Sequence, residues 1–236
     1  MNTHATATPQ RSSLALRQLP LFDGLSDLCL ARLAQQCRWF NLGVHQTLLA
    51  RLDARRDVHF LITGRVRVTT YSASGRQVSF RDSGAGHWFG DIAAIDGALR
   101  CADVVTLEPS TVASLDGAAF LDLMRQEPLV AERVMRHLAA LVRQLSQRVF
   151  ELSTLGVQNR LHAELLRMAR DAGVVENASR LEPAPLHEVL ASRISTTREQ
   201  VTRELSALLR DGVLRKEGKA MVLPDVARLS RMVAEV

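Results

Sequence analysis

The sequence predicts an α+β protein in three parts: a glycine-punctuated β-roll, one long helix, and a small helix-turn-helix unit with a β-wing. Three observations carry this prediction. From about Asn41 to Asp116, apolar and polar residues alternate with a period of two, and Gly64, Gly75, Gly84, Gly86, Gly90 and Gly97 break the run into short strands. After Pro128, no glycine or proline interrupts the chain until Gly156, and apolar residues recur at helical spacing. Around Ser195-Thr196-Thr197, two short amphipathic stretches flank a polar turn.

Composition sets the frame. The 236 residues suit one large or two small domains, and 47% apolar residues suffice for real cores. The formal charge of +5 is spread over both halves, so net charge names no partner. Cys29, Cys37 and Cys101 are odd in number and widely spaced, which indicates neither a disulfide framework nor a zinc site and fits a reducing cytoplasm. No run of about 18 apolar residues could span a bilayer, and the start of the chain lacks the apolar core of a signal peptide. Residues 1–16, which open polar and rich in Thr, Ala and Ser, are expected to be disordered.

The elements follow in order. "SDLCLARLAQQCRWF" places Leu28, Leu30, Leu33 and Ala34 near helical spacing behind Ser26, an N-cap residue. "VHFLITGRVRVTTYSASGRQVSF" alternates as strands do, with Ser74-Gly75 as a hairpin turn. In the long helix Met135, Leu138, Val142, Leu145, Val149 and Leu152 step alternately by three and four residues, the 3.5-residue repeat of a two-helix seam. Arg133, Arg136 and Arg143 are expected to keep the other faces solvated. A dimer seam is the preferred reading, and a helix packed on its own domain is the alternative. Gly156 ends or bends this helix, and the amphipathic "VQNRLHAELLRMARDAG" opens the next unit.

In "LHEVLASRISTTREQVTRELSALLRDGVL", Leu186, Val189, Leu190 and Ile194 form the inner face of one helix; Val201, Leu205, Leu208 and Leu209 form that of a second. The second helix carries Thr197, Arg198, Glu199, Thr202 and Arg203 early and outward, where a recognition helix meets base edges. Arginine can chelate guanine O6 and N7, and glutamate can accept from the cytosine amine. "GVLRKEGKAMVLP" reads as two strands around a turn, a wing whose Lys216 and Lys219 could meet phosphate.

With these residues in place, the chain resembles the cyclic AMP receptor protein/FNR (Crp/Fnr) family of bacterial transcription regulators over roughly Leu21 to Ala227. "TTREQVTREL" is similar to the family's recognition helix, S/T-R-E-x-V-x-R-x-L. On that resemblance Arg198, Glu199 and Arg203 take the base-reading positions and Thr197 a phosphate contact. The resemblance makes the roll a double-stranded β-helix, a jelly roll of cyclic-nucleotide-binding type over 17–127. It also implies a dimerisation helix over 128–155 and a winged helix-turn-helix DNA-binding domain over 156–236. The implied partners are double-stranded DNA with a pseudo-palindromic operator, a second copy of the chain, and RNA polymerase, without a membrane. The implied location is the cytoplasm.

The resemblance extends to "GDIAAIDGALRCADVV". Gly90-Asp91-Ile92-Ala93 and Arg100-Cys101-Ala102 match the family's phosphate-binding cassette, in which backbone amides and the arginine hold a cyclic phosphate and the acid accepts from the ribose 2′-hydroxyl. Ser146 on the long helix is implied to face the base. Three positions depart from the pattern: Asp91 is one methylene shorter than the usual Glu, Cys101 replaces a hydroxyl, and Leu145 stands where cyclic-AMP-responsive members place threonine. Two readings of the roll therefore stand, a cyclic nucleotide effector held by Arg100 or a ligand-free roll in which Arg100 pairs with Asp91 or Asp103. A regulatory module acting on a protein partner is a further alternative, against which the helix-turn-helix argues.

No metal, haem or iron–sulfur cluster is expected. The cysteine cluster of iron–sulfur members is missing, and haem ligation would rest on an isolated His59, His87 or Cys101. A metalloenzyme on the same roll architecture needs an HxH pair with a further carboxylate and histidine, whereas His45, His59 and His87 are scattered. No nucleophile triad or phosphate-binding glycine loop of the Walker type points to an enzyme.

Overall fold

The computed structural model describes residues 12–72 and 77–234, so the turn expected at Ser74-Gly75 and residues 1–11 lie outside the described residues. The chain forms two compact units, one of residues 12–71 and 80–140 and one of residues 72, 77–79 and 141–234.

The first unit opens with helix α1 (Ser13–Arg17), whose first turn is capped by the Ser12 hydroxyl accepting from the Ala15 amide. The disorder expected up to residue 16 is corrected here. Leu16 is fully buried, and its burial against the roll orders the end of that segment. A 3-10 turn at Pro20–Phe22 leads to α2 (Asp27–Gln36), N-capped by Ser26 as the sequence indicates. Among the described residues eight strands follow: β1 (Arg38–Leu42), β2 (Thr47–Leu49), β3 (Val58–Thr63), β4 (Arg65–Tyr71), β5 (Gln77–Gly84), β6 (Trp88–Phe89), β7 (Asp103–Thr106) and β8 (Ser110–Leu115). They form two four-stranded sheets, ordered β1-β8-β3-β6 and β2-β7-β4-β5. Neighbours in these sheets are rarely neighbours in sequence, as the jelly roll requires.

Strand alternation divides the core in two. Val58 and Phe60 face the helices, where they join Phe22, Leu30, Phe120, Val130 and Val134; Leu61 faces the roll interior with Val66, Phe89, Val104 and Val112. Each such side chain contributes about 1.5–3 kcal/mol by leaving water. Helix α3 (Asp91–Asp96) lies between β6 and β7, and α4 (Gly117–Gln126) precedes α5 (Pro128–Thr154). The sequence reading left α4 unassigned.

The first half of α5 packs on the roll core through Val130 and Val134, and the division between the units falls within this helix rather than at Pro128 or Gly156. Gly156 N-caps α6 (Val157–Ala172). Then come β9 (Ser179–Leu181), α7 (His187–Ile194), α8 (Arg198–Arg210), β10 (Arg215–Glu217), β11 (Ala220–Leu223) and α9 (Val226–Ala234). Strands β10 and β11 pair as the expected wing, and β9 adds a third strand on the far side of β11. Leu161, Leu165, Leu190, Ile194, Val201, Leu205, Leu208, Leu223 and Leu229 fill this unit's core.

Leu186 and Leu209, assigned to inner faces, are exposed instead, and Leu28, read at helical spacing, is exposed as well. Leu28 falls two residues before Leu30 on the α2 wheel, off the buried stripe. Leu186 is the N-cap of α7 and precedes the first turn. Leu209 follows Leu208 by 100° of rotation, which takes it off the inner face.

Candidate functional site

Two regions concentrate unusual polar chemistry, one in each unit. In the first, β6 runs into α3 through Gly90, whose φ of 94° lies in the left-handed region. A Cβ at that position would stand 2.5 Å from Arg100 Nη1 and 2.6 Å from the Asp57 carbonyl oxygen, so only glycine fits. Arg100 is buried and donates from Nη1 to the Gly90 carbonyl at 2.8 Å and from Nη2 to the Asp57 carbonyl at 2.5 Å. Its Nε is buried without a partner among the described residues. Burial pulls the guanidinium below its ordinary value, against the fields of Asp57, Asp53 and Asp91.

Arg100 thus pairs with neither Asp91 nor Asp103, and the ion pair expected for a ligand-free roll is corrected. The carboxylates are engaged elsewhere. Asp103 accepts from the Arg51 amide at 2.8 Å, while Asp91, 4% exposed, accepts from Trp88 Nε1 at 3.3 Å. The structure brings Gly90, Asp91, Ala93 and Arg100 together, with Ala93 buried; Ile92 and Cys101 face outward and Ser146 is exposed on α5. The sequence reading missed Trp88. Its indole packs at a 47° tilt against His137 of α5 with centroids 4.6 Å apart, so one side chain touches both Asp91 and the long helix. No local pattern signals that contact, because the partners are far apart in sequence.

Nearby, His59 is 7% exposed, and its Nδ1 is buried without a partner among the described residues. Burial first, then the charges of Arg100, Arg38 and Arg55, push its pKa down to about 3, so the ring is neutral.

Along α5, Met135, Val142, Leu145, Val149 and Leu152 are exposed, and Phe150 joins them at 57% exposure. Leu138 departs from this stripe because it packs partly against the first unit's core. Arg133 departs from the solvated face, since its Nη1 donates to the Leu21 carbonyl at 3.0 Å. These side chains leave an uncovered apolar stripe along the helix.

In the second unit, α7 ends at Ser195 in the left-handed conformation, and the Thr197 hydroxyl caps α8 by accepting from the Gln200 amide. Val201, Leu205 and Leu208 turn inward. Thr197, Arg198, Glu199, Thr202 and Arg203 are all exposed at the front of α8, and Lys216 and Lys219 are exposed on the wing. Thr202 Oγ1 donates to the Arg198 carbonyl at 2.9 Å and lies 2.7 Å from His187 Nδ1, a neighbour that sequence reading did not associate with this surface.

An ion network around the buried carboxylates of Glu164 and Glu151 links α5, α6 and α7. Glu164 of α6 accepts from Arg167 at 2.9 Å and Arg193 of α7 at 2.8 Å, and Arg167 reaches Glu151 of α5 at 2.8 Å. Burial pushes the Glu164 carboxyl up, but Arg167 and Arg193 outweigh it and hold it below its ordinary value. Arg148 donates to the Arg193 carbonyl, which ties the end of α7 to α5.

Comparison with known proteins matches residues 40–127 to a cyclic nucleotide-binding domain and residues 159–232 to a Crp-like helix-turn-helix domain. The chain is 24% identical over 217 residues to a CRP-like cAMP-activated global transcriptional regulator of Mycobacterium tuberculosis, covering 92% of this chain and 97% of the relative. It is 29% identical over 202 residues to a cyclic AMP receptor protein of Thermus thermophilus, covering 83% and 88%. Its fold is similar to that of a CooA mutant from Carboxydothermus hydrogenoformans, with a TM-score of 0.74 at 21% identity over 84% of this chain and 88% of that one.

Proposed function

The chain belongs to the Crp/Fnr family of bacterial transcription regulators, and from that premise we propose that it is a cytoplasmic homodimer that binds a pseudo-palindromic operator under control of a cyclic nucleotide. Its family acts by regulating transcription and not by catalysis. The observation that carries the DNA-binding reading is the front of α8, where Arg198, Glu199 and Arg203 stand exposed on a helix fixed from behind by Val201, Leu205 and Leu208. A helix presented in this way can enter a major groove while Thr197 and the wing lysines hold phosphate.

Dimerisation through the exposed α5 stripe would set two such helices about one helical turn of DNA apart. The effector reading is supported by Arg100, a buried guanidinium with no carboxylate partner among the described residues and a buried, unsatisfied Nε. Burying a cation is costly unless an anion meets it, and a cyclic phosphate supplies one. In the family's cassette Gly90-Asp91-Ile92-Ala93 and Arg100-Cys101 would line that site, with Ser146 toward the base. RNA polymerase is the protein partner that regulation of transcription implies.

Fluorescence anisotropy on genomic promoter fragments, with and without cyclic nucleotide, tests the reading. Saturable, sequence-selective binding that strengthens with nucleotide supports it. Selective binding indifferent to nucleotide leaves a regulator whose roll no longer senses a cyclic nucleotide, and an absence of selective binding overturns the assignment of α8.

A further inference from the structure

We propose that Arg81 is a second effector contact and that it selects a guanine nucleotide over an adenine one. The inference rests on the reading of the roll as a cyclic nucleotide site. On β5, alternation places Arg81 and Ser83 on one face and Phe80 on the other. Ser83 is buried, whereas Phe80 is 37% exposed. Phe80 shares its face with Asp82, which pairs with Arg67 at 2.7 Å, so charged residues occupy both faces of the strand, and the face of Arg81 carries the buried hydroxyls of Ser79 and Ser83.

The Arg81 guanidinium lies 6.0 Å from the ring centroid of Phe89, the roll-core residue immediately before Gly90. Among the described residues, no carboxylate stands within ion-pair distance of Arg81. Burial draws the group below its ordinary value, and the Asp91 field partly opposes this. Asp91 itself is committed to Trp88 Nε1. The roll therefore carries a half-buried, donor-only fork near Asp91, with the Phe89 ring under it and no hydrogen-bond acceptor for it among the described residues.

A guanidinium presents five N–H donors and no acceptor. Guanine offers it O6 and N7, two acceptors at the spacing of the fork, whereas adenine sets an amine donor beside N7. Adenine would therefore satisfy one donor and oppose the other. A second phosphoryl group would also supply acceptors, but it would not distinguish the two bases.

Isothermal calorimetry with cyclic GMP and cyclic AMP, on the full chain and its Arg81→Met and Arg81→Lys variants, tests the proposal. The wild type should bind cyclic GMP about tenfold more tightly than cyclic AMP. Arg81→Met should erase that preference by weakening cyclic GMP alone, and Arg81→Lys, which keeps the charge without the fork, should erase most of it. Thermal melting reports whether each variant folds, and if the Met variant does not, the Lys variant decides. A wild type with no guanine preference, or equal weakening of both nucleotides, overturns the role of Arg81 and leaves the cassette intact. If the wild type binds neither nucleotide, the cyclic-nucleotide reading falls, and this inference with it.

Discussion

Arg100 Nη1 and the Gly90 carbonyl oxygen are joined by a 2.8 Å hydrogen bond that ties the two halves of the cassette, ten residues apart in sequence, into one structure. The bond needs the chain to pass close to the guanidinium at Gly90. Arg100 is thereby aligned without an acidic partner, and its charge stays available to an anion.

Gly90→Ala should consequently disrupt both stability and effector binding. The added methyl meets the Asp57 carbonyl and Arg100 Nη1 at a backbone conformation that L-residues rarely adopt. A loss of about 2–4 kcal/mol is expected, read as a lower urea midpoint with an unchanged slope. A variant as stable as the wild type would show that Gly90 does not hold this conformation.

On DNA, Arg198→Ala or Arg203→Ala should each cost about 1–3 kcal/mol and relax preference at one base pair per half-site. Lys219→Ala should weaken all sequences alike and reduce the salt dependence. Competition anisotropy against a panel of single-base operator variants separates the two patterns. Unchanged selectivity in both arginine variants would remove α8 from the groove.

Leu145 is half-exposed in the middle of the α5 stripe. A carboxylate there would have to be buried in the seam at a cost of several kcal/mol. Sedimentation of Leu145→Glu should show a monomer and DNA binding should weaken, whereas a persistent dimer would place the interface elsewhere.

His59 makes stability depend on pH. Its folded pKa of about 3 lies well below the ordinary histidine value of about 6.5, so the unfolded chain takes up a proton before the folded one does. The stabilisation is complete above about pH 6.5 and is lost progressively as pH falls toward 3. Urea titrations at pH 7, 6, 5 and 4 should show a steeper decline in the wild type than in His59→Phe. Parallel declines would mean that the imidazole is not held neutral by the fold.

Much of the architecture is legible in the sequence because its signals are local. The period-two run marks the strands, the uninterrupted stretch after Pro128 marks α5, and Thr197 marks the start of α8. Helices α4 and α9 carry N-terminal signals that the sequence reading passed over, Asp116 accepting from the Ala118 amide and Asp225 from the Arg228 amide. Leu209 sits just off the buried stripe of α8 and Leu186 caps α7 ahead of its first turn, and neither offset is marked in the apolar pattern. The family pattern singles out Gly90, Asp91 and Arg100, which the structure brings together, but it does not indicate their partners. Trp88 and His137 meet only through tertiary packing, as do Arg100 and the Asp57 carbonyl, whereas Trp88 and Asp91 are three residues apart. Arg81 has no local signal in the sequence, and its partial burial beside Phe89 is what sets it apart.

The central claim is that a nucleotide held by Arg100 controls DNA binding, and a single titration tests it most directly. Operator affinity is measured by anisotropy for the wild type and Arg100→Ala across micromolar to millimolar cyclic GMP and cyclic AMP. Loss of a charge-assisted contact should weaken nucleotide affinity about tenfold to a hundredfold. The nucleotide-dependent rise in DNA affinity should therefore move to correspondingly higher concentration in the variant, because a ligand shifts the active population only through its differential affinity. The account predicts that displacement with the same maximal DNA affinity at saturation. Operator affinity in the wild type that stays flat across the whole range would contradict it.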